Sequence, residues 1–339
     1  MVNEFPEQLP LAIDAALVGE PRHAIQGIDV EARRTSHDSV DGATVERPCG
    51  CRGNGPAVWR EAGHIGRRCG CGLVYIDPPP PARALGPELH HDGFYAFPAE
   101  HRLDWVARWC RSGRLLEVGP GPGHLLAAAL RRGYTVAGVD PNPSSVRRIR
   151  ERLGVEVELA TIETSRLPDA AFDAVVHIDL LSHFDDPVAA LRAMARRLAP
   201  GGHICFEVGL LGGISPAWYR ALGRVGFPEH RWLYSREALA RVMARAGLAM
   251  VGVRRFGLIP VIGLILARRA AGPLAARIAG KRALDGAAPD PDGLPPPQNA
   301  AHRLYERALC LLRYRLGPAA PALGPQGVLV AAQVAGRAR

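Results

Sequence analysis

Lysine is nearly absent from this sequence: Lys281 is the only one, so arginine supplies almost all of the 42 basic residues. The formal net charge of +9 would suit nucleic acid or an anionic surface, yet no run of three arginines and no basic stripe interleaved with aromatic residues accompanies it. We interpret the charge as a compositional bias, and nucleic-acid binding is not favoured. With 47% apolar and 22% charged residues, the composition is that of an ordinary globular protein.

Long hydrophobic runs and a secretory leader are missing as well. The longest apolar stretch, FGLIPVIGLILA at 256–267, is far shorter than the ~20 residues that span a bilayer. No basic region followed by an apolar one opens the chain, and an odd number of cysteines, seven, does not indicate a disulfide framework. We therefore expect a cytoplasmic protein without a transmembrane segment, for which 256–267 is the one candidate for peripheral membrane contact.

From about residue 85 onward, strand patterns alternate with helix patterns. RLLEVG, YTVAGVD, FDAVVHID and HICFEVG read as strands, and PVAALRAMARRLAPGG reads as an amphipathic helix. NPSSVRRIRERLG reads as another helix, capped by Ser144 or Ser145 and ended by Gly154. This alternation predicts an α/β fold with a doubly wound parallel sheet. The last strand, GVLVAAQVA, stands far from the others in the sequence, which indicates an insertion before it.

Five segments follow from these patterns. We predict a partly disordered arm at 1–45, a four-cysteine module at 46–81 that ends in DPPPP, and a ligand-binding core at 82–256. A helical insertion at 257–325 and a last core strand with a tail at 326–339 complete the chain. For the insertion, a lid over the ligand pocket, packing against the domain or a homodimer partner, and an interfacial segment all stay open.

A glycine-rich turn follows the first core strand in LLEVGPGPGHLLAAALRRGYTVAGVDPNP, and Asp140 follows the second. Glycines at that place let a ligand approach the backbone, and an acid there accepts hydrogen bonds from ribose hydroxyls. Gly119, Gly121 and Gly123 run G-x-G-x-G, which is not the dinucleotide fingerprint, and no GK[ST] indicates a phosphate loop. Glu117 favours an ammonium group and repels pyrophosphate. A ligand with a ribose, an adenine and an amino acid end, S-adenosylmethionine, fits these features together.

The series continues with LPDAAFDAVVHIDLLSHFDDPVAALRAMARRLAPGGHICFEV. In combination, these motifs resemble the class I S-adenosylmethionine-dependent methyltransferases, and among them the small-molecule enzymes related to quinone biosynthesis. FDAVVHIDLLSHFDDP is similar to the family's FDxVxxxxxLEHxxDP, and RRLAPGGHICFE is similar to its xxLxPGGxxxxx. The resemblance covers about residues 95–256 and the last strand, and it implies a Rossmann-like, doubly wound sheet of seven strands.

The resemblance also implies which residues bind the cofactor. Glu117 and the three glycines of the turn would line the methionine end, and Asp140 would bind the ribose hydroxyls. Thr161 and the backbone of Ile162 stand where many members have an acid that holds the adenine amino group. Asp179, at the end of the fourth predicted strand, matches a position that contacts the ligand near its sulfonium.

Two histidines are candidates for the chemistry of methyl transfer. A hydroxyl acceptor needs a base, and the ordinary pKa of histidine suits that work. His183 follows the fourth strand in LLSHFDDP, and a catalytic and a structural role are both open for it. His230, in GFPEHRWLYS, follows the fifth strand on the acceptor side, where substrate contact and a loop role are both open.

Four cysteines form two C-G-C knuckles, Cys49 with Cys51 and Cys69 with Cys71. Four thiolates from two knuckles match a tetrahedral structural zinc site, and His64 is a substitute ligand. HIGRRCGCGLVYIDPPP resembles the end of a zinc ribbon that precedes some methyltransferase domains, although each knuckle is one residue shorter than the C-x2-C of that ribbon. Zinc, a decayed ribbon with free thiols, and a redox role therefore stay open. The other cysteines are expected in the apolar core: Cys110, Cys205 and Cys310.

These features predict an enzyme that moves a methyl group from S-adenosylmethionine to oxygen or carbon of a small molecule, such as a secondary metabolite, a sugar or a quinone-like compound. An RNA-directed methyltransferase that uses the zinc module to hold RNA, and a cofactor-binding scaffold without catalysis, are the alternatives. The motif of base-amine methyltransferases, Asn/Asp-Pro-Pro-Tyr/Phe, does not follow the fourth strand, where DLLSH stands instead. The absence of this motif makes the RNA-directed alternative less favoured.

Overall fold

The computed structural model describes residues 47–81, 92–257, 263, 304, 307–308, 310–316 and 324–336, which belong to one compact unit, Val45–Arg339. The predicted arm at 1–45 and most of the predicted insertion, including nearly all of 256–267, lie outside the described residues. Within the described part, no helix is long and apolar enough to cross a membrane.

The secondary structure follows the predicted alternation of strands and helices. In chain order the elements are β1 (Ala57–Glu61), β2 (His64–Arg68), β3 (Val74–Asp77), α1 (Asp92–Val106), β4 (Arg114–Val118), α2 (His124–Arg131), β5 (Thr135–Asp140), α3 (Pro143–Leu153), β6 (Val157–Leu159), β7 (Phe172–Ile178), α4 (Pro187–Arg197), β8 (Leu198–Leu210), α5 (Pro216–Leu222), β9 (Trp232–Leu233), α6 (Arg236–Arg245), β10 (Leu248–Gly257) and β11 (Gln326–Val334). A π-helical turn, Leu312–Leu316, precedes β11.

The main sheet has seven strands in the order β10-β11-β8-β7-β4-β5-β6. The strands β8, β7, β4, β5 and β6 run parallel to one another, whereas β11 runs antiparallel to both β8 and β10. The seven-stranded, Rossmann-like α/β fold predicted from the sequence is confirmed. The strand that stands far from the others in the sequence, β11, lies inside the sheet, where it pairs with β8 on one side and with β10 on the other.

Helix boundaries follow local capping rules, with one correction. In α3, Asn142 is the cap, and its side chain accepts a hydrogen bond from the Ser144 amide. The prediction of Ser144 or Ser145 as the cap was wrong, because Pro143 occupies the first helical turn and the cap has to precede it. The predicted end of this helix is confirmed, since Gly154 adopts a left-handed conformation there.

Apolar side chains cover both faces of the main sheet. Leu116, Val175 and Phe206 pack on one face, and Leu115 and Val176 pack on the other. Burying such a side chain contributes roughly 1.5–3 kcal/mol to stability. Packing on both faces of the sheet therefore keeps the carboxyl ends of its strands in fixed positions. The three cysteines outside the knuckles are buried, as expected: Cys110, Cys205 and Cys310.

A second, smaller sheet has the order β1-β2-β3-β9. Its first three strands come from the cysteine-bearing segment, and β9 comes from the connection between β8 and α6. Val74 pairs with Leu233, and Tyr75 pairs with Trp232. The cysteine-bearing segment therefore shares a sheet with the connection between β8 and α6, which carries His230.

Candidate functional site

The turn between β4 and α2 contains three left-handed glycines that alternate with Pro120 and Pro122. Gly119, Gly121 and Gly123 have φ angles of 64°, 52° and 81°. At Gly119, an added Cβ would also lie 2.8 Å from Leu180 Cδ2, so a side chain there would be strained and would collide with its neighbour. The backbone of the turn therefore favours glycine at these three positions.

Asp140 ends β5 and is buried next to this turn. Its Oδ2 accepts a hydrogen bond from the Gly121 amide at 3.3 Å, and its Oδ1 accepts one from the Asn142 amide at 2.8 Å. The carboxylate joins the glycine turn to the neighbouring strand end, which is where the sequence predicted it.

Glu117 is the buried acid of the site, with 4% of its surface exposed. Its Oε2 has no hydrogen-bond partner among the residues that the structure describes. Burial raises the pKa of Glu117 to about 8, although Arg102 and the Leu126 amide act in the opposite direction. A buried acid with an unused oxygen is a good partner for a ligand that carries a positive charge.

The predicted adenine-side residues lie beyond β6, the strand next to β5. The Ile162 side chain is buried in the core, whereas Thr161 is exposed and its Oγ1 lies 3.1 Å from Thr164 Oγ1. Because Asp140 pairs with Leu159 at the end of these strands, Thr161 and Ile162 follow the same edge of the sheet as Asp140.

Asp179 follows β7 and has a positive φ of 51°. Its side chain is 44% exposed, and its Oδ2 lies 3.8 Å from Arg102 Nη2 and 3.7 Å from Arg313 Nη2. Its backbone amide donates a hydrogen bond to the Glu207 carbonyl at 2.9 Å. Asp179 is thus the partly exposed member of a charged cluster at the ends of β7 and β8.

The centre of that cluster is Glu207, which the sequence reasoning missed. Glu207 is 0% exposed, and its Oε2 accepts hydrogen bonds from Arg102 Nε at 2.8 Å and from the Tyr314 hydroxyl at 2.6 Å. Arg313 contacts the other carboxylate oxygen. Burial alone would raise the pKa of Glu207, but the two arginines lower it to about 2. The available signal was an acid inside the apolar strand HICFEVG, because acids are almost never fully buried unless paired.

The structure brings together the two predicted catalytic histidines. The rings of His183 and His230 meet edge to face, with their centroids 4.7 Å apart. His230 Nδ1 lies 2.8 Å from the Val225 carbonyl oxygen. Because a carbonyl only accepts, Nδ1 carries the hydrogen, and Nε2 of the neutral ring keeps its lone pair. Gly226 makes room for the ring, since an added Cβ would lie 2.9 Å from Nδ1.

The four knuckle cysteines converge as well. The Sγ atoms of Cys49, Cys51, Cys69 and Cys71 all lie within 4.8 Å of one another, and none of these residues forms a disulfide. The distance from Cys49 to Cys69 is 3.6 Å, and that from Cys69 to Cys71 is 3.2 Å. Tetrahedral zinc with Zn–S bonds of ~2.3 Å separates its sulfurs by about 3.8 Å. The donor set therefore suits zinc, and His64 lies outside it.

The sulfurs also perturb one another. A hydrogen bond from Cys69 lowers the pKa of Cys49 to about 5, whereas burial raises the pKa of Cys71 to about 11. The pKa of Cys69 is raised by its hydrogen bond to Cys49 and by burial. In a cluster this tight, several thiolates need a cation among them to coexist.

Comparison with known proteins points in one direction. Residues 88–253 match the family described as a methyltransferase domain. A ubiquinone biosynthesis O-methyltransferase of Alkalilimnicola ehrlichii is 40% identical over 116 residues, which are 31% of this chain and 47% of that protein. The protein of the same description from Idiomarina loihiensis is 28% identical over 169 residues, which are 46% of this chain and 70% of that one.

The chain spans about half the length of most of these curated relatives. Among solved structures, geranyl diphosphate C-methyltransferase from Streptomyces coelicolor A3(2) is 20% identical, with a TM-score of 0.44, over 70% of this chain and 78% of that one. A similarity at that level carries no argument about what this chain binds.

Proposed function

We propose that this chain, whose residues 88–253 match the methyltransferase-domain family, is a class I S-adenosylmethionine-dependent methyltransferase that methylates a small-molecule acceptor in the cytoplasm. The acceptor we favour is a quinone-like compound with a ring hydroxyl, and the product is its methyl ether. When bound, S-adenosylmethionine supplies an electrophilic methyl group and becomes a neutral thioether. The protein has to hold the two reactants and to take one proton from the hydroxyl.

The observation that carries the proposal is the buried, unused oxygen of Glu117 beside the glycine turn. The α-amino group of S-adenosylmethionine would give this unused oxygen of Glu117 a cationic hydrogen-bond donor. Arg102, which interacts electrostatically with Glu117, offers a fixed cation for the carboxylate at the same end of the ligand. Asp140 would accept from the ribose hydroxyls, and Thr161 with the Ile162 backbone would border the adenine. Asp179 would lie near the sulfonium.

Binding of S-adenosylmethionine at pH 7 is expected to release between about half a proton and one proton per chain. The pKa of Glu117 is raised to about 8, so its carboxyl group is mostly protonated in the free protein at this pH. An ammonium group favours the carboxylate and expels that proton. Calorimetry in buffers of different ionisation enthalpy measures the number released. Glu117→Gln should abolish the release, and a wild-type heat that does not depend on the buffer would contradict this assignment.

His230 is the better placed of the two histidines to act as the base. Its Nδ1 hydrogen is engaged by the Val225 carbonyl, which leaves Nε2 as the acceptor for the hydroxyl proton. Asp179 interacts electrostatically with His230 and would stabilise the imidazolium that forms. The ring of His183 packs edge to face against the same ring and would fix its orientation. The names of the relatives, which are O-methyltransferases of ubiquinone biosynthesis, support a hydroxyl on a ring as the group that loses this proton.

Replacing His230 by Gln is expected to lower kcat by roughly 10²- to 10⁴-fold, because the base is lost. Affinity for S-adenosylmethionine should stay within about twofold, since His230 lies on the acceptor side. The measurement is transfer of a labelled methyl group to a panel of hydroxylated aromatic acceptors. His183→Gln should have a smaller effect. Unchanged kcat in the His230 variant would exclude it as the base.

We assign the four-cysteine cluster to a structural zinc ion. The convergence of four sulfurs from two knuckles supports this, because sites with four protein ligands leave no position open for a substrate. The expected metal content is one zinc per chain by elemental analysis, falling to near zero when Cys69 and Cys71 are both replaced by Ser.

A further inference from the structure

The tip of the β1–β2 hairpin holds the loop in front of His230. Glu61, the last residue of β1, accepts hydrogen bonds from the Val225 amide at 2.7 Å and from the Gly226 amide at 3.0 Å. Its side chain is 10% exposed, so these bonds between amides and a carboxylate are largely shielded from water. The carbonyl of Val225 orients the His230 ring. Glu61 therefore fixes the backbone of Val225 and Gly226, and this backbone orients the His230 ring.

The chain after His230 is tied to the cysteine-bearing segment a second time. β9 pairs with β3 as the fourth strand of the small sheet. Just beyond it, Ser235 Oγ donates a hydrogen bond to the carbonyl of Cys71 at 2.5 Å. The connection that carries His230 is thus held on one side by the hairpin tip and on the other side by the knuckle itself.

Segment 231–234 in turn holds segment 181–184, which contains His183. A backbone amide, an indole N–H and a phenol hydroxyl of the first segment donate to three carbonyls of the second. The bonds run from the Arg231 amide to Ser182 at 2.8 Å, from Trp232 Nε1 to Phe184 at 2.8 Å and from the Tyr234 hydroxyl to Leu181 at 3.1 Å.

The cysteine cluster closes the hairpin that starts this chain of contacts. Cys49 and Cys51 precede β1, whereas Cys69 and Cys71 follow β2. β1 is the edge strand of the small sheet and pairs only with β2 there, so a cross-link between the outer ends of these two strands limits the movement of the hairpin tip. A metal ion among the four sulfurs is such a cross-link.

From these contacts we infer that the metal-bound cluster positions the acceptor side of the catalytic site. It does so by holding Glu61 and β3, and through them the segments that carry His230 and His183. The hydrogen bonds described for the cysteine-bearing segment run to the connection between β8 and β10, and none of them reaches the glycine turn. This inference rests on the proposed function for the meaning of the two sides, but the mechanical coupling is measurable without any reaction.

The test is hydrogen–deuterium exchange of the full-length protein, zinc-loaded and stripped by a chelator. Glu61→Gln is measured in the zinc-loaded form, because an amide oxygen replaces only one of the two carboxylate acceptors while the cluster stays intact. Its matched control is Glu237→Gln, the same change at an exposed residue that pairs with Arg241, one helical turn away. Zinc content and S-adenosylmethionine affinity are measured for every sample.

Metal removal is expected to raise exchange at 225–235 and 181–184 by at least roughly tenfold, while 135–150, on the cofactor side, stays protected. Glu61→Gln should raise exchange at 225–230 with one zinc still bound, and Glu237→Gln should match wild type. S-adenosylmethionine affinity should stay within about twofold in all of them.

Unchanged exchange at 225–235 in both the stripped protein and the Glu61 variant would overturn the inference. If stripping raises exchange throughout the chain, the Glu61 variant decides: a rise confined to 225–230 supports the coupling, and no rise overturns it. A protein that takes up no zinc overturns the role of the metal. Zinc-loaded protein that shows the expected exchange but binds no S-adenosylmethionine refutes the proposed function alone.

Discussion

Replacing Asp140 by Ala is expected to weaken S-adenosylmethionine binding by at least about 100-fold. Two hydrogen bonds from ribose hydroxyls to a carboxylate contribute roughly 1.5–3 kcal/mol each, and the variant loses both. It also loses the tie from the carboxylate to the Gly121 amide, so the glycine turn is held less firmly. Calorimetric titration with S-adenosylmethionine and S-adenosylhomocysteine measures the change.

The control for this variant is Glu156→Ala, which removes an acid that is 93% exposed in the loop before β6, away from the carboxyl ends of the strands. Its affinity should equal that of wild type. Asp140→Asn keeps one acceptor oxygen and should fall between the two. A folded Asp140→Ala protein, as judged by its melting temperature, that still binds within about tenfold of wild type would contradict the assignment of the cofactor site.

Replacing Glu207 by Gln is expected to lower the free energy of unfolding by about 3–5 kcal/mol at neutral pH. The fully buried carboxylate lies against Arg102 and Arg313, and the amide leaves both guanidinium groups with only the more distant, partly exposed Asp179 as counter-charge. Urea denaturation measures the loss. Glu237→Gln, at an exposed pair, should change stability by less than about 0.5 kcal/mol. Adding Arg313→Met to the Glu207 variant should recover part of the loss, because one of the two guanidinium groups that lost the Glu207 charge is then removed.

Glu207 also determines part of the loss of folding stability at acidic pH. The pKa of Glu207 is lowered from its ordinary 4.5 to about 2 in the folded protein. A depressed acid pKa contributes stability above pH 4.5, and this contribution is lost as the pH falls from 4.5 towards 2. The Glu207→Gln variant should lack this component, so its unfolding free energy should depend less on pH within that window. Parallel curves for the two proteins would show that Glu207 is not stabilised by its arginines.

The sequence by itself determined the features that depend on short, local patterns of residues. The periods of apolar residues predicted the strands and helices, because burial of one face needs a fixed spacing of side chains. The glycine turn followed by Asp140 was recognisable because strand, turn, helix and strand end succeed one another along 115–140. The resemblance to class I methyltransferases predicted the seven-stranded sheet, and the apolar surroundings of Cys110, Cys205 and Cys310 predicted their burial.

Other features were decided only by the tertiary structure, because they join residues that are far apart in the chain. His183 and His230 meet only because segment 231–234 is bonded to segment 181–184. Glu207 is matched with Arg313 across 106 positions, most of which belong to the inserted region, and no local pattern marks that partner. The cysteine-bearing segment joins the catalytic side through β9, a strand of two residues whose pairing with β3 has no signature of its own. Sequence patterns report which side chains must be buried, whereas the choice of partner depends on how distant elements pack.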